Sequence, residues 1–406
     1  MRTRLWCVVA ACVSIAAPAA AQTVLTEADA LARLSDDSPR VRAMRAGVEL
    51  ARAEVVAVKR WPNPRATFNR ESVAGVTENM VTITQSLPIT GRRGLESSAA
   101  AALVEATSRR ADEDIRRARA DLRQAYAALV SAQLREGAIA RVLDRVSALS
   151  ERLSRREAAG DAAGYDVLRA QREVLDLEAA LAEARADRTR AQAELGSFFA
   201  TADATAIVAT PPTIGSRSPL PELAALTARA ESTRGELAAL QHEIESARFA
   251  DDAASRRLWP EPELVAGTKS SSVGYGDIGG VISVHVSIPL FDRSQPEHAF
   301  AKARLVRAEA RLESVRISLA AQVSGWRTLV QQRRDMADRH RSASSKTAAD
   351  LERIAQLSYD AGERGILELL DSYRSSASAE TRQIELDALA RAAEIELEFM
   401  TGWEMQ

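Results

Sequence analysis

Apolar and polar residues alternate with two different periods along the chain. In Val281-Ile282-Ser283-Val284-His285-Val286-Ser287-Ile288, the residues Ile282, Val284, Val286 and Ile288 fall on one face, and Ser283, His285 and Ser287 share the other with Val281. A period of two is the signature of a strand with one apolar side. Met80 to Leu87 alternates likewise, with Val81, Ile83 and Leu87 opposite Thr82, Thr84 and Ser86. Arg65 to Ala74 and Glu263 to Val273 alternate more weakly and read as the hairpin partners of these two segments. Elsewhere the period is helical. Ile115, Leu122 and Leu129 recur every seven residues, and Ile139, Val142, Val146, Leu149 and Leu153 follow at spacings of three and four, a coiled-coil-like seam. The pattern breaks at Gly160 to Gly164 and resumes from Val167 to Phe199; its counterpart breaks at Gly362 to Gly365 and resumes to about Met400. A short glycine-containing turn joins neighbouring helices, so each break reads as the tip of an antiparallel hairpin. At the helical rise per residue, Gly94 to Ala158 would extend about 100 Å. Shorter helical patterns, Glu27 to Lys59 and Pro221 to Arg257, precede the strands and end at Trp61-Pro62 and Trp259-Pro260.

Proline placement supports the long helices. Of 13 prolines in 406 residues, none lies from 89 to 210 and none from 297 to 406. Proline is excluded from helix interiors because it lacks the N–H and clashes with the preceding turn. With aromatics at only 4%, a large mixed core is not expected. The fold class read from the sequence is therefore mainly α with a small β part.

The chain also reads as written twice. Trp61-Pro62-Asn63-Pro64 recurs as Trp259-Pro260-Glu261-Pro262, Leu87-Pro88 as Ile288-Pro289, Tyr126 as Trp326, and Ala159-Gly160-Asp161 as Ala361-Gly362-Glu363, at offsets of 198, 201, 200 and 202. Four ordered landmarks argue for an internal duplication. The expected organisation is a signal segment (1–21), a first repeat (22–210), a linker (211–220) and a second repeat (221–406), each repeat a helix, two strands and a long helical hairpin.

The first residues set the compartment. Arg2 and Arg4 precede an apolar run from Leu5 to Ala17, and Ala19-Ala20-Ala21 offers a cleavage site before Gln22, the pattern of a secretory signal peptide. Val9-Ala10-Ala11-Cys12 resembles a lipoprotein box, with a very short apolar stretch before it. Both cysteines, Cys7 and Cys12, fall within this segment, so a mature chain would hold no disulfide or thiolate metal site. Nothing beyond it approaches 18 consecutive apolar residues, which leaves a periplasmic protein or an outer-membrane β-barrel.

Other chemistry is sparse. With 54 Lys+Arg against 56 Asp+Glu, the chain lacks the positive surplus that nucleic-acid binding requires. His242, His285, His298 and His340 include no i, i+4 pair, and zinc or copper needs three or four converging ligands, so no metal site is expected. No nucleophilic triad, phosphate loop or dinucleotide fingerprint stands in suitable context, so neither a cofactor nor an enzyme is expected.

Four strands cannot close a barrel, and open edges are not tolerated in lipid. A four-stranded sheet with one apolar face therefore calls for partner chains, and three copies would give twelve strands. The competing reading is a soluble coiled-coil protein, such as a periplasmic adaptor, decorated with two small hairpins.

Trp61-Pro62-Asn63-Pro64, Gln85-Ser86-Leu87-Pro88-Ile89-Thr90-Gly91-Arg92-Arg93, Ile288-Pro289-Leu290-Phe291-Asp292-Arg293 and Tyr359-Asp360-Ala361-Gly362, in this order and duplicated, resemble the TolC outer-membrane efflux family from about Leu25 to Gly402. The Trp-Pro-Asn-Pro and Phe-Asp-Arg-Ser-Gln wording is most similar to its cobalt–zinc–cadmium resistance branch. The resemblance implies a homotrimer in the outer membrane, with a twelve-stranded barrel on an α-helical periplasmic duct. It also implies a periplasmic adaptor and an inner-membrane RND-type transporter as partners. Drug efflux and type I secretion stay open as cargo classes.

The resemblance further implies sites. Glu368 and Asp371, spaced i, i+3 on one helix face, match two acidic rings at the periplasmic entrance, with Glu368 where the family has Asp. Carboxylate rings favour cations, whereas residue pattern alone would make the pair an ordinary solvated face. Gate links fall by position on Tyr359 and Arg364 from the second tip and Tyr165 and Asp166 from the first, Tyr165 standing where the family often has a smaller residue. The tips at Gly160, Gly164, Gly362 and Gly365 would receive the adaptor, or would only turn the chain.

Overall fold

The computed structural model describes residues 23–160, 163–199, 204–212, 218–274 and 277–404. The signal segment 1–21 with Cys7 and Cys12, Asp161 at the first tip and residues 213–217 of the linker lie outside the described residues. In chain order the elements are β1 (Thr23–Leu25), α1 (Glu27–Arg33), α2 (Pro39–Lys59), β2 (Arg65–Val73), β3 (Val76–Ser86), α3 (Arg92–Ala158), α4 (Gly164–Gly196), a 3-10 turn (Ala204–Ala206), β4 (Ile207–Ala209), α5 (Leu223–Thr233), α6 (Gly235–Arg256), β5 (Pro262–Ser271), β6 (Ile278–Val286), α7 (Gln295–Asp360) and α8 (Ile366–Thr401). Both proline-free stretches are helix-rich, and the helical breaks fall at the two glycine tips.

The chain divides into two compact units, each drawing on both halves of the sequence. One comprises Leu34–Asp121, Gly215–His340 and Leu389–Gln406 and holds a four-stranded antiparallel sheet in the order β2-β3-β5-β6. Its core is a cluster of Leu226 and Ala230 from α5, Leu237 from α6, Leu319, Val323 and Val330 from α7, and Ala393, Leu397 and Met400 from α8, with Trp326 packed against it. The Arg334 and Glu394 side chains, 9% and 8% exposed, pair across α7 and α8 at 2.7 Å, and Arg334 also donates to Ser218 O at 2.8 Å.

The single helices expected over Glu27–Lys59 and Pro221–Arg257 are each divided in two. Pro39 occupies the first turn of α2, where its missing N–H is harmless, and the Ser38 Oγ caps that end by accepting from Val41 N at 3.3 Å. At the second break α3 supplies the caps: Arg116 Nη1 donates to Thr233 O at 2.8 Å, and Glu113 Oε2 accepts from Gly235 N at 3.1 Å. Three guanidinium groups, of Arg116, Arg117 and Arg234, lie 5.7, 4.7 and 5.1 Å from the centre of the Phe399 ring. That cation–π cluster holds α3, the α5–α6 junction and the end of α8 together.

The other unit comprises Met1–Arg33, Leu122–Ile214 and Arg341–Ala388. Here β1 and β4, too short to show alternation, pair in parallel with Val24 opposite Val208. Three buried or half-buried polar side chains secure this pair. Tyr126 Oη donates to Leu25 O and Thr210 O at 2.9 and 2.8 Å, Gln133 exchanges bonds with both backbone groups of Ala209, and Gln192 Nε2 donates to Thr205 O and Ile207 O. Leu122, Leu129, Ile139, Val142, Val146, Leu149 and Leu153, the seam residues of this unit, are all buried.

Truncating one partner of a buried ion pair leaves the other charge buried without that counter-charge. Glu394→Leu is therefore expected to lower the unfolding free energy by about 3–5 kcal/mol. Urea denaturation followed by circular dichroism measures it, and a loss of under about 1 kcal/mol would match an exposed pair instead.

Candidate functional site

Side chains of directly paired residues point to the same side of a sheet, so the register assigns both faces. One carries Phe68 beside Val81; Ala66, Ile83, Ala266 and Ile282 in a row; Leu264 beside Val284; and Pro262 beside Val286. The opposite face carries Arg65, Thr84 and Ser283, then Asn69, Met80 and Lys269, then Glu263 beside His285. Lys269 Nζ meets Glu78 Oε2 there at 2.6 Å. The apolar face is uncovered in this chain: Phe68 is 65% exposed and Ile282 82%, with Ile83, Val284 and Val286 also open. The sheet ends at β2 and β6, each paired on one side only. Trp61 and Trp259, just ahead of β2 and β5, are exposed as well, with the Arg93 guanidinium 5.6 Å from the Trp61 ring centre.

The second region is the helical tip. Val142, Val146, Leu149 and Leu153 of α3, Val167 and Ala170 of α4, and Ile366, Leu369, Leu370 and Tyr373 of α8 form one buried cluster, with Ala355 and Tyr359 of α7 against it. The i, i+3, i+4, i+7 spacing of the α8 residues buries one stripe of that helix. Glu368 and Asp371 fall outside the stripe and are exposed. Among the described residues, no ion pair or hydrogen bond occupies either carboxylate. Glu368 and Asp166 also lie in the first turns of α8 and α4, where a negative charge complements the helix dipole.

Of the four residues matched to a gate, Tyr359 and Asp166 are brought close. Burial pushes the Tyr359 phenol above its ordinary value; Arg156 opposes this and Asp166 adds to it. Among the described residues no hydrogen bond joins the two, and none joins Arg364 to Tyr165. Arg364 and Tyr165 are exposed, and Arg364 N donates to Ser358 O at 3.2 Å. Gly160 and Gly362 have φ of 83° and 73°, the left-handed turn geometry that glycine adopts without steric penalty. Gly164 begins α4, and Gly365 immediately precedes α8.

Three ties at this tip escape a reading by period. Tyr373 Oη donates to Gln356 Oε1 at 2.6 Å, Arg145 pairs with Glu352, and Arg374 grips the buried Glu173 with two nitrogens, Nε at 2.7 Å. Glu173 and Arg374 stand 201 residues apart, within the 198–202 offsets of the repeated landmarks, which is the one sequence signal that connects them.

Among the described residues, no group of three or more His, Cys, Asp or Glu side chains is placed to hold a metal ion, and no helix is long and apolar enough to cross a membrane.

The fold is that of solved outer-membrane channels. A membrane protein from Pseudomonas aeruginosa matches with a TM-score of 0.76 at 21% identity, over 93% of this chain and 93% of that one. The outer membrane protein VceC of Vibrio cholerae matches at 0.73 and 16% identity, over 93% and 96%. The open state of the MtrE outer membrane channel of Neisseria gonorrhoeae matches at 0.71 and 19%, over 92% and 88%. No curated protein matches the sequence. The family described as Outer membrane efflux protein matches residues 226–403. The resemblance to the TolC outer-membrane efflux family, read from the motifs, thus recurs in a family match and in the fold. The family and the named channels are not enzymes.

Proposed function

We propose that the chain is the outer-membrane channel of a tripartite efflux system, a homotrimer whose twelve strands close a barrel above an α-helical periplasmic duct. The observation that carries this reading is the four-stranded sheet with an uncovered apolar face and two free edges. A strand spanning a bilayer needs about 9–11 residues, and these four have 9, 11, 10 and 9. Tryptophans at the strand entrances suit a membrane interface. A periplasmic adaptor made of this chain would have no use for such a face. Heat-modifiable trimers in an outer-membrane fraction are the expected result. A monomer released with the periplasm would refute the channel.

The remaining assignments rest on the sequence resemblance. Exposed Glu368 and Asp371 would form rings of three carboxylates at the entrance and favour cations. Tyr359, Arg364, Tyr165 and Asp166 would form the closed gate. Weak contacts suit a bistable gate, since exposed pairs contribute about 0–1 kcal/mol each. Tyr359→Phe with Arg364→Ser is expected to raise single-channel conductance in a planar bilayer; unchanged conductance would remove these residues from the gate.

The tips at Gly160, Gly164, Gly362 and Gly365 would receive the adaptor, which joins the duct to an RND-type transporter. The cargo favoured by the branch resemblance is heavy-metal cations, conducted passively, with selection left to the transporter and adaptor. In a strain that depends on this chain for cobalt, zinc or cadmium resistance, Gly160→Val with Gly362→Val is expected to abolish resistance while trimers persist. Retained resistance would place docking elsewhere, and a native chain that confers none would direct the search to drugs or secreted proteins.

A further inference from the structure

Asp371 and Arg374 are spaced i, i+3 on α8, the arrangement in which a carboxylate and a guanidinium of one helix ordinarily meet. They do not pair here. Arg374 turns instead to α4, where Glu173 accepts from its Nε at 2.7 Å and from Nη2. The two partners are unequally placed: the Glu173 side chain is 6% exposed and that of Arg374 48%. A buried carboxylate gripped by a two-pronged guanidinium is a strong, directional contact. Removing the guanidinium would leave Glu173 charged and buried. Asp176, which pairs with Arg172 at 2.9 Å, and Asp371 attract the Arg374 charge only through space, behind the hydrogen-bonded Glu173.

The geometry points to Glu173 as the positioning residue that keeps the Asp371 carboxylate uncompensated, and so sets the cation preference of the entrance. This rests on the reading of Glu368 and Asp371 as entrance carboxylates. With Glu173 in place, Arg374 is neutralised from α4, and two free carboxylates per chain face the path. Without it, the same guanidinium is released one helical turn from Asp371 and cancels one of them. A residue on the first hairpin thereby controls the charge presented by the second.

Reversal potentials across a salt gradient, with the full-length trimer in a planar bilayer, test this. Asp371→Asn alone checks the underlying reading, and Glu173→Gln checks the proposal. Both are expected to lower the cation-to-anion permeability ratio by about twofold or more. Glu173→Gln combined with Arg374→Gln removes both partners together and is expected to restore the native ratio, which a merely structural role for Glu173 would not do. If Asp371→Asn lowers the ratio and Glu173→Gln does not, the positioning role is overturned and the acidic entrance stands. If Asp371→Asn changes nothing, the acidic entrance falls and the positioning role with it. Failure of the double variant to recover, with trimers assembled, would likewise overturn the proposal.

Discussion

Among the described residues, the edge strands β2 and β6 each have one backbone side without a strand partner, and the sheet between them exposes phenylalanine, isoleucine, valine and leucine on one face. These two features make opposite demands on the surroundings. Water satisfies the edge N–H and C=O groups but is repelled by the apolar face; lipid accepts the face but cannot hydrogen-bond the edges. Pairing edge to edge with further copies, inside a bilayer, meets both demands together. In the proposed trimer the polar opposite face, with Arg65, Thr84, Lys269 and His285, would line an interior instead of facing lipid.

The helices obey the complementary rule. Their surfaces are polar, their clusters are small, and much of their cohesion comes from arginine. Guanidinium groups surround Phe399, cap the end of α5 and reach from Arg374 to a carboxylate on another helix. Arginine suits this work because its planar fork both stacks on aromatic rings and binds two oxygens at once. A chain with few aromatic residues and no cysteine beyond its first residues obtains long-range ties this way.

Much of the architecture was legible in the sequence because it is periodic. The alternation at Val281–Ile288 marks β6, and glycines break the helical period where α3 and α7 end. The division of the early helix was also written there, in Ser38-Pro39, but an apolar period running across it masks the cap. The parallel pair β1–β4 has three residues per strand, too few to show any period, and depends on Tyr126, Gln133 and Gln192 far along the chain. The tip was legible only in part. Exposure of Glu368 and Asp371 follows from the stripe Ile366, Leu369, Leu370 and Tyr373, whereas the partner of Arg374 is a tertiary fact that local spacing would have assigned to Asp371.

The pairing of Glu173 with Arg374 bears on the history of a chain that reads as two similar halves. Equivalent positions in two identical halves would hold identical residues, and glutamate facing glutamate, or arginine facing arginine, repels. The contact is asymmetric, with glutamate on the first hairpin and arginine on the second. It gives the two hairpins unlike roles, so a chain assembled from either half twice over would lose this tie between them.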